Sequence, residues 1–260
     1  MITASSNAKV RYVQQLQKKA KFRREEGVFL VEGPKMYEEL PLDWIVCVYV
    51  SESFFGDTAN KRLLLGHEYD VVKDSVFADM CDTKTPQGIL AVAKQPVYEW
   101  KDLIPKDKPA LLLILDTIQD PGNLGTMMRA GEGAGITGIL MTKDTVDMYN
   151  PKTIRATMGS LFRVPFLYTD HMIKDLSKLK SQGIQLYAAH LKGTASYDKF
   201  SYKTSCGFLI GNEAKGLSKE VADMADTYIQ IPMEGKVESL NAAMASCILL
   251  YEVARQRRLL

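Results

Sequence analysis

The sequence predicts an α/β protein in which a small amino-terminal unit precedes a larger unit built on a parallel sheet. Apolar segments of strand length alternate with helical segments along the 260 residues. Residues 111–115 form an uninterrupted apolar run, which is typical of a strand buried on both faces. Prolines and charged residues crowd residues 95–109, as in a linker. We therefore expect domains at 1–94 and 110–260.

The composition predicts a globular protein and requires any nucleic-acid contact to be local. Hydrophobic residues make up 46% of the chain and charged residues 25%, which excludes global disorder. The net charge is only +2, so a nucleic-acid surface needs clustered cations. One such cluster lies within residues 18–24, although a solvated helix face would look the same. Its members are Lys18, Lys19, Lys21, Arg23 and Arg24.

Cysteines, histidines and apolar runs indicate a cytoplasmic protein without a metal site. The four cysteines form no C-x-x-C pair and lie in apolar sequence, so we expect buried free thiols. The three histidines share no metal-ligand spacing. No apolar run is long enough to cross a bilayer, and residues 1–10 do not resemble a secretory signal.

The amino-terminal unit shows helix and strand patterns in alternation. Residues 10–21 carry apolar side chains at helical spacing with lysines between them. Residues 28–31 predict a buried strand, and Pro34 can open the next helix. Residues 44–50 and 88–93 predict two further strands.

The carboxyl-terminal unit contains six strand candidates with helical stretches between most of them. This alternation predicts a parallel sheet covered on both faces. The candidates are residues 111–115, 138–141, 164–167, 184–189, 207–210 and 228–231.

Three glycines, Gly133, Gly135 and Gly138, match the G-x-G-x-x-G pattern of dinucleotide-binding loops. Such a loop needs a strand before it and a helix after it. Here a predicted helix comes first and a strand follows. The order favours a helix end and turn, and it argues against a nucleotide-dependent Rossmann enzyme.

A polar loop follows the strand at 111–115, where ligands bind in parallel sheets. The next helix is predicted to start at Pro121 to Asn123 and to reach past Arg129. Asn123 and Arg129 are six residues apart, about 600 degrees of helix, so they do not share one stripe. They can still face one site if Asn123 lies in the cap. The alternative is a capping asparagine and an ordinary surface arginine.

Two later loops have the same organisation. The strand at 207–210 leads into a loop with Gly211 and Glu213. The alternative role of this loop is a simple strand-to-helix turn with Ser218 as helix cap. The strand at 228–231 precedes a loop in which Ser239 is expected to cap the last helix, placing Asn241 in its first turn.

These three loop segments resemble the motifs of one family, the SpoU/TrmH RNA 2'-O-ribose methyltransferases of the SPOUT superfamily. The first family motif is similar to PGNLGTMMRAGEGAG, the second to IGNEAKGLS and the third to IPMEGKVESLNAAMASCILLYE. They occur in the family's order and cover much of residues 115–252. Residues 2–36 and TPQGILAVAK resemble the RNA substrate-binding domain that often precedes this catalytic domain.

The resemblance implies an α/β catalytic domain whose carboxyl-terminal part forms a deep trefoil knot. It implies a small amino-terminal α/β RNA-binding domain that resembles a ribosomal-protein fold. The implied cofactor is S-adenosyl-L-methionine, bound mainly by backbone groups at Gly211, Ile231 and Leu240. A homodimer is implied as well, together with RNA contact by the cluster from Lys18 to Arg24.

The resemblance also places a polar active site at five positions: Asn123, Arg129, Glu213, Ser239 and Asn241. Arg129 is expected to pair bidentately with an RNA phosphate. The family is often described with this arginine as general base, although a guanidinium pKa above ~12 makes its deprotonation costly. Glu213 and water are the alternative proton acceptors.

The implied function is methylation of a ribose 2'-hydroxyl in structured RNA. Ribosomal RNA of the large subunit, 23S, is the first expected substrate and transfer RNA the alternative. A non-catalytic RNA-binding or ribosome-assembly factor on the same fold is a further alternative. Its mark would be loss of the polar motif residues, and all five are present.

Overall fold

The computed structural model describes residues 1–190, 193 and 195–258 and confirms the α/β class. It separates into two compact units. Met1–Val97 and Asp147–Phe162 form the first, and Tyr98–Val146 and Arg163–Leu260 form the second. The domain boundaries read from the sequence, 1–94 and 110–260, stay a prediction. The implied knot also stays a prediction.

The helices and strands alternate along the described chain. The strands are β1 Val28–Glu32, β2 Ile45–Ser51, β3 Tyr69–Val72, β4 Ile89–Lys94, β5 Leu111–Asp116, β6 Gly138–Thr142, β7 Phe166–Thr169, β8 Gln185–Ala189, β9 Ala195–Ser196, β10 Cys206–Gly211 and β11 Thr227–Gln230. The α-helices are α1 Ala8–Lys18, α2 Ala20–Glu26, α3 Pro34–Glu39, α4 Glu52–Gly56, α5 Lys61–Leu64, α6 Asp74–Met80, α7 Trp100–Leu103, α8 Pro121–Ala134, α9 Pro151–Thr157, α10 Met172–Ser181, α11 Lys219–Ala222 and α12 Ala242–Arg257.

The first unit contains a four-stranded sheet in the order β1-β4-β2-β3. Strand β4 is antiparallel to both of its neighbours, and β3 is parallel to β2. The helical spacing predicted for α1 is confirmed, because it buries Val10, Val13 and Leu16 in the core of this unit. The edge strand β3 was not predicted, since its four residues include a polar aspartate and are too short for a clear pattern.

The predicted helix over 10–21 is in fact two helices, with Lys19 extended between them. The break brings Arg23 into the core, where its side chain is 3% exposed. Its guanidinium donates to the carbonyl oxygens of Leu16 at 2.5 Å and Gln17 at 3.0 Å, near the end of α1. It also donates to Asp147 Oδ2 at 2.5 Å. Arg23 therefore satisfies helix-end carbonyls that lack partners within their own helix.

We expect Arg23→Ala to destabilise the protein by about 3–5 kcal/mol, because it leaves a largely buried carboxylate and helix carbonyls without their donor. Urea unfolding measures the change in the free energy of unfolding. Arg24→Ala is the matched control, since Arg24 is exposed one residue later. Equal stability of the two variants would contradict a structural role for Arg23.

The second unit contains a seven-stranded sheet in the order β7-β6-β5-β10-β8-β11-β9. All neighbouring strands are parallel, as predicted. The strand expected at 164–167 begins later, at Phe166, after Pro165. Pro165 has no N–H to donate, and its carbonyl accepts from the amide of Ile139 at 3.0 Å.

The glycine pattern at 133–138 is a helix end, as expected. Gly135 adopts φ 85° and ends α8, and Gly138 begins β6. The cysteines are free, but only Cys206 is buried and the other three are partly buried, so the expectation of four buried thiols is wrong. Among the described residues no helix has the length and apolar character needed to span a membrane.

Candidate active site

The candidate site lies where β5 and β10 end side by side. The two strands are parallel neighbours, and Gly211 pairs in register with Asp116. The loops that follow them therefore leave the same edge of the sheet. One loop leads into α8, whose amino-terminal cap is Asp120. This register brings two motifs together that are about 90 residues apart in sequence.

Asn123, Glu213 and Asn241 form a hydrogen-bonded set that we name the polar triad. Asn123 donates from Nδ2 to Glu213 Oε1 at 2.9 Å. Asn241 donates from Nδ2 to Asn123 Oδ1 at 3.0 Å. Asn123 is not the helix cap, because Asp120 accepts from its backbone amide at 2.7 Å. Its side-chain amide is thereby free to join the other two motifs.

Glu213 is held as a carboxylate by the groups around it. Its oxygens also accept from the backbone amides of Gln119 and Asp120, each at 3.3 Å. Desolvation alone would raise the pKa of Glu213, but the hydrogen bonds from Asn123 and the backbone amides outweigh it and the pKa lies below the ordinary value. A carboxylate with a lowered pKa is a weak base. Glu213 is therefore suited to positioning Asn123 and poorly suited to accepting a proton.

Asn241, and not Ser239, caps the last helix. The Oδ1 atom of Asn241 accepts from the backbone amides of Ala243 at 2.9 Å and Met244 at 3.3 Å. The cap expected at Ser239 is wrong, because asparagine is an equally good cap and its amide can also reach Asn123. Ser239 is exposed in the preceding loop.

Arg129 lies on α8, six residues after Asn123, and is not part of the polar triad. Its side chain is exposed and makes no hydrogen bond or ion pair with the part of the chain that the structure describes. The structure thus joins three of the five predicted polar residues and leaves Arg129 and Ser239 outside their network. An exposed guanidinium without a protein acceptor is available to a phosphate of a bound molecule.

A cavity of about 770 Å³ opens beside the polar triad. All three predicted cofactor-binding residues, Gly211, Ile231 and Leu240, line it, and so do Glu213 and Ser239. The walls come from the loops after β8, β10 and β11 and from the start of α12. This volume is in the range of sites for small organic ligands.

The lining of this cavity suits a sulfonium compound such as S-adenosyl-L-methionine. Among the described residues that line it, two carboxylates, Glu213 and Glu238, outnumber one ammonium group, that of Lys215, which favours a cationic ligand. Ile231 and Leu240 offer apolar contact, and the polar groups at those positions are backbone amides and carbonyls. The residues present therefore fit the cofactor that the motifs imply.

Asp116 supports this cavity and was not singled out from the sequence. It is 4% exposed at the end of β5, and its Oδ2 accepts from the hydroxyl and the backbone amide of Ser218 at 2.6 and 2.8 Å. Ser218 precedes α11 as expected, but its hydroxyl binds Asp116 and does not cap the helix. The sequence feature that could have identified Asp116 is its position directly after the five-residue apolar run at 111–115.

The loop after β10 passes close to its own strand. A Cβ added at Gly211 would lie 2.1 Å from the carbonyl carbon of Gly216 and from the nitrogen of Leu217. Asn212 ties the loop further, since its Nδ2 donates to the carbonyl oxygen of Thr117 at 2.8 Å. The glycine is thus required by close backbone contact as well as by the cavity that it lines.

The basic cluster of the first unit is exposed except at one position. Lys18, Lys19, Lys21 and Arg24 are exposed on α1, α2 and the break between them. Arg23 is removed from the predicted RNA-binding set, because its guanidinium is buried and hydrogen-bonded within the unit. Sequence proximity could not separate it from its neighbours.

Family models match both parts of the chain. The SpoU rRNA Methylase family matches residues 110–251, and an MRM3-like substrate binding domain matches residues 7–91. A curated relative, the 23S rRNA (guanosine(2553)-2'-O)-methyltransferase RlmP of Bacillus subtilis, is 31% identical over 97% of this chain and 98% of its own length.

Solved structures are similar over the same extent. The AdoMet complex of the SpoU methyltransferase AviRb from Streptomyces viridochromogenes has a TM-score of 0.85 at 26% identity, covering 97% of this chain and 98% of its own. The AdoMet-bound rRNA methyltransferase from Sinorhizobium meliloti has a TM-score of 0.84 at 31% identity, covering 98% and 97%.

Proposed function

The chain belongs to the SpoU rRNA Methylase family, and from that premise we propose that it methylates a ribose 2'-hydroxyl of 23S ribosomal RNA, using S-adenosyl-L-methionine. The observation that carries the proposal is the cavity of about 770 Å³ that opens beside the polar triad. A non-catalytic role on the same fold is disfavoured, because both the triad and the cavity are intact. We place the reaction in the cytoplasm, with the ribosomal RNA.

When bound, the cofactor would supply a methyl group on a positively charged sulfonium, which becomes a neutral thioether as the methyl group is transferred. The chain's own task is to align the attacking oxygen and to exclude other geometries. We assign Arg129 to the phosphate next to the target ribose, because a guanidinium pairs bidentately with phosphate oxygens. Backbone groups at Gly211, Ile231 and Leu240 hold the cofactor.

We assign the polar triad to positioning. Glu213 holds the amide of Asn123, and Asn123 in turn holds that of Asn241 at the start of α12. The hydroxyl proton leaves to water in this proposal, since the pKa of Glu213 is lowered and a guanidinium resists deprotonation. Ser239, exposed on the cavity wall, is assigned to contact with the ribose.

We also propose a homodimer in which α12 contributes to the interface. Two large apolar side chains of this helix are exposed in the single chain, Met244 by 55% and Tyr251 by 45%. Burying such side chains against a second copy would be favourable.

We assign RNA contact in the first unit to four exposed residues of the basic cluster, Lys18, Lys19, Lys21 and Arg24. Arg23, the fifth residue of the predicted set, is left out because it is buried.

The acceptor atom is tested with a 2'-deoxy substrate. The methylated nucleotide is first located in unmodified 23S RNA incubated with the protein and labelled cofactor. A synthetic fragment with that one nucleotide in 2'-deoxy form should then bind normally and receive no label, because the attacking oxygen is missing. Label on the deoxy nucleotide would place the methyl group on the base. Label in transfer RNA alone would overturn the choice of substrate.

The salt dependence of RNA affinity tests the basic cluster. Each phosphate contact adds about 0.7–0.9 to the slope of log affinity against log salt, so replacing Lys18, Lys19, Lys21 and Arg24 by alanine should flatten that slope by up to ~3. Filter binding at several salt concentrations measures it. The matched control replaces four exposed lysines of the second unit, Lys106, Lys108, Lys199 and Lys203. Equal slopes for both quadruple variants would place the RNA elsewhere.

A further inference from the structure

A second cavity of about 500 Å³ lies at the sheet edge formed by β7, within the second unit. Among the described residues, the two cavities have no lining residue in common. Residues 98–101 form one wall, and the end of β7 with Asp175 forms the other. Three of its lining side chains are aromatic: Tyr98, Trp100 and Tyr168. We name it the aromatic cleft.

Two rings of the aromatic cleft, those of Tyr98 and Tyr168, are partly exposed and are connected through the buried ring of Phe166. Phe166 contacts both Tyr98 and Tyr168, with ring centroids 5.6 and 6.3 Å apart. Tyr168 is 36% exposed although it is a large aromatic residue on a strand. The ammonium of Lys178 lies 5.0 Å from the centroid of the Trp100 ring. Exposed rings with cations beside them are the surfaces on which unstacked nucleobases pack.

Charged groups at the aromatic cleft can contact both parts of a nucleotide. Lys101 and Lys143 are exposed and pair with Glu99 at 2.9 Å and with Asp170 at 2.7 Å. Ammonium groups at the rim suit phosphate oxygens. The carboxylates of Glu99 and Asp175 line the cleft and can accept from the exocyclic amino group of a base.

The end of β7, which forms one wall of the aromatic cleft, lies on the same rim of the sheet as the polar triad. Strand β7 is two strands from β5 in a parallel sheet, which corresponds to about 10 Å between the strands. The loop after β6 lies between the loop that carries Gln119 and the end of β7, and it is hydrogen-bonded to both. Gln119 donates from Nε2 to the carbonyl oxygen of Asp144 at 2.7 Å. The hydroxyl of Tyr168 donates to the carbonyl oxygen of Val146 at 2.8 Å.

We propose that the aromatic cleft binds an unstacked nucleobase of the RNA substrate, close to the nucleotide whose ribose is methylated. This inference rests on the proposed function, because it takes the bound polymer to be RNA. Stacking in the cleft would hold the strand at a second point, so that the target ribose reaches Arg129 and the cofactor cavity in one orientation.

The fluorescence of Trp100 reports on the aromatic cleft directly. The chain has two tryptophans, so Trp44→Phe leaves Trp100 as the only one. Random-sequence RNA hexamers should quench it, and abasic hexamers with the same phosphates should not. Tyr168→Leu should weaken the quenching isotherm by about fivefold or more, as expected for one stacked base, whereas Tyr168→Phe should keep it.

Two results would overturn the proposal, namely equal quenching by abasic hexamers, or no quenching at saturating RNA in the protein with an intact Tyr168. The second does not depend on how Tyr168→Leu folds. Methyl transfer to 23S RNA is measured in parallel. Methyl transfer without quenching of Trp100 fluorescence would refute base binding in the aromatic cleft alone. Absence of methyl transfer would refute the proposed function, whether or not Trp100 is quenched.

Discussion

Replacing Arg129 with alanine should lower the rate of methyl transfer by on the order of 10²–10³-fold, as for loss of one donor that stabilises a transition state. The affinity for S-adenosyl-L-methionine should stay unchanged, because Arg129 does not line the cofactor cavity. The physical reason is that its guanidinium makes no hydrogen bond or ion pair with the described residues and is free to hold an RNA phosphate. Single-turnover methylation and calorimetry with the cofactor measure the two quantities separately.

The control variants for Arg129 separate geometry from charge. Arg129→Lys keeps the positive charge and loses the planar fork, so it should recover only part of the rate. Arg258→Ala removes an exposed arginine from the end of α12 and should leave the rate unchanged. A wild-type rate for Arg129→Ala, or a parallel loss of cofactor affinity, would contradict the assignment of Arg129 to the phosphate.

Replacing Gly211 with alanine should lower cofactor affinity by about 10²-fold or more, since displacement by an ångström is enough for losses of that size at a preorganised site. The added methyl group would lie 2.1 Å from backbone atoms of Gly216 and Leu217, which cannot move without displacing the loop. That loop carries Glu213 and lines the cavity, so the polar triad should be disturbed as well. Calorimetry with S-adenosyl-L-methionine measures the affinity.

Gly235→Ala is the matched control for Gly211→Ala. Gly235 lines the same cavity, but nothing lies within 4 Å of a Cβ built there. Its variant should therefore bind the cofactor with nearly wild-type affinity. If both variants bind equally well, the close approach at Gly211 is not what maintains the cavity. Circular dichroism spectra distinguish a local loss of binding from global unfolding.

The sequence could predict those features that depend on neighbouring residues along the chain. Apolar runs located most strands of the second unit, because a strand buried on both faces needs consecutive apolar side chains. The three loops were likewise visible, since each is a polar, glycine-containing segment directly after such a run. The family resemblance then supplied the cofactor and the site residues, which local patterns alone leave ambiguous.

Tertiary structure decided which of those residues meet. Asn123 lies 90 residues from Glu213 and 118 from Asn241 in sequence, and only the parallel register of β5 and β10 brings the first pair together. Arg23 shows the same limit, because its neighbours in sequence are exposed while a carboxylate 124 residues away binds it in the core. Local periodicity records which side chains avoid water, but it contains no information on which distant partner satisfies a buried charge. That choice depends on the packing of the complete chain.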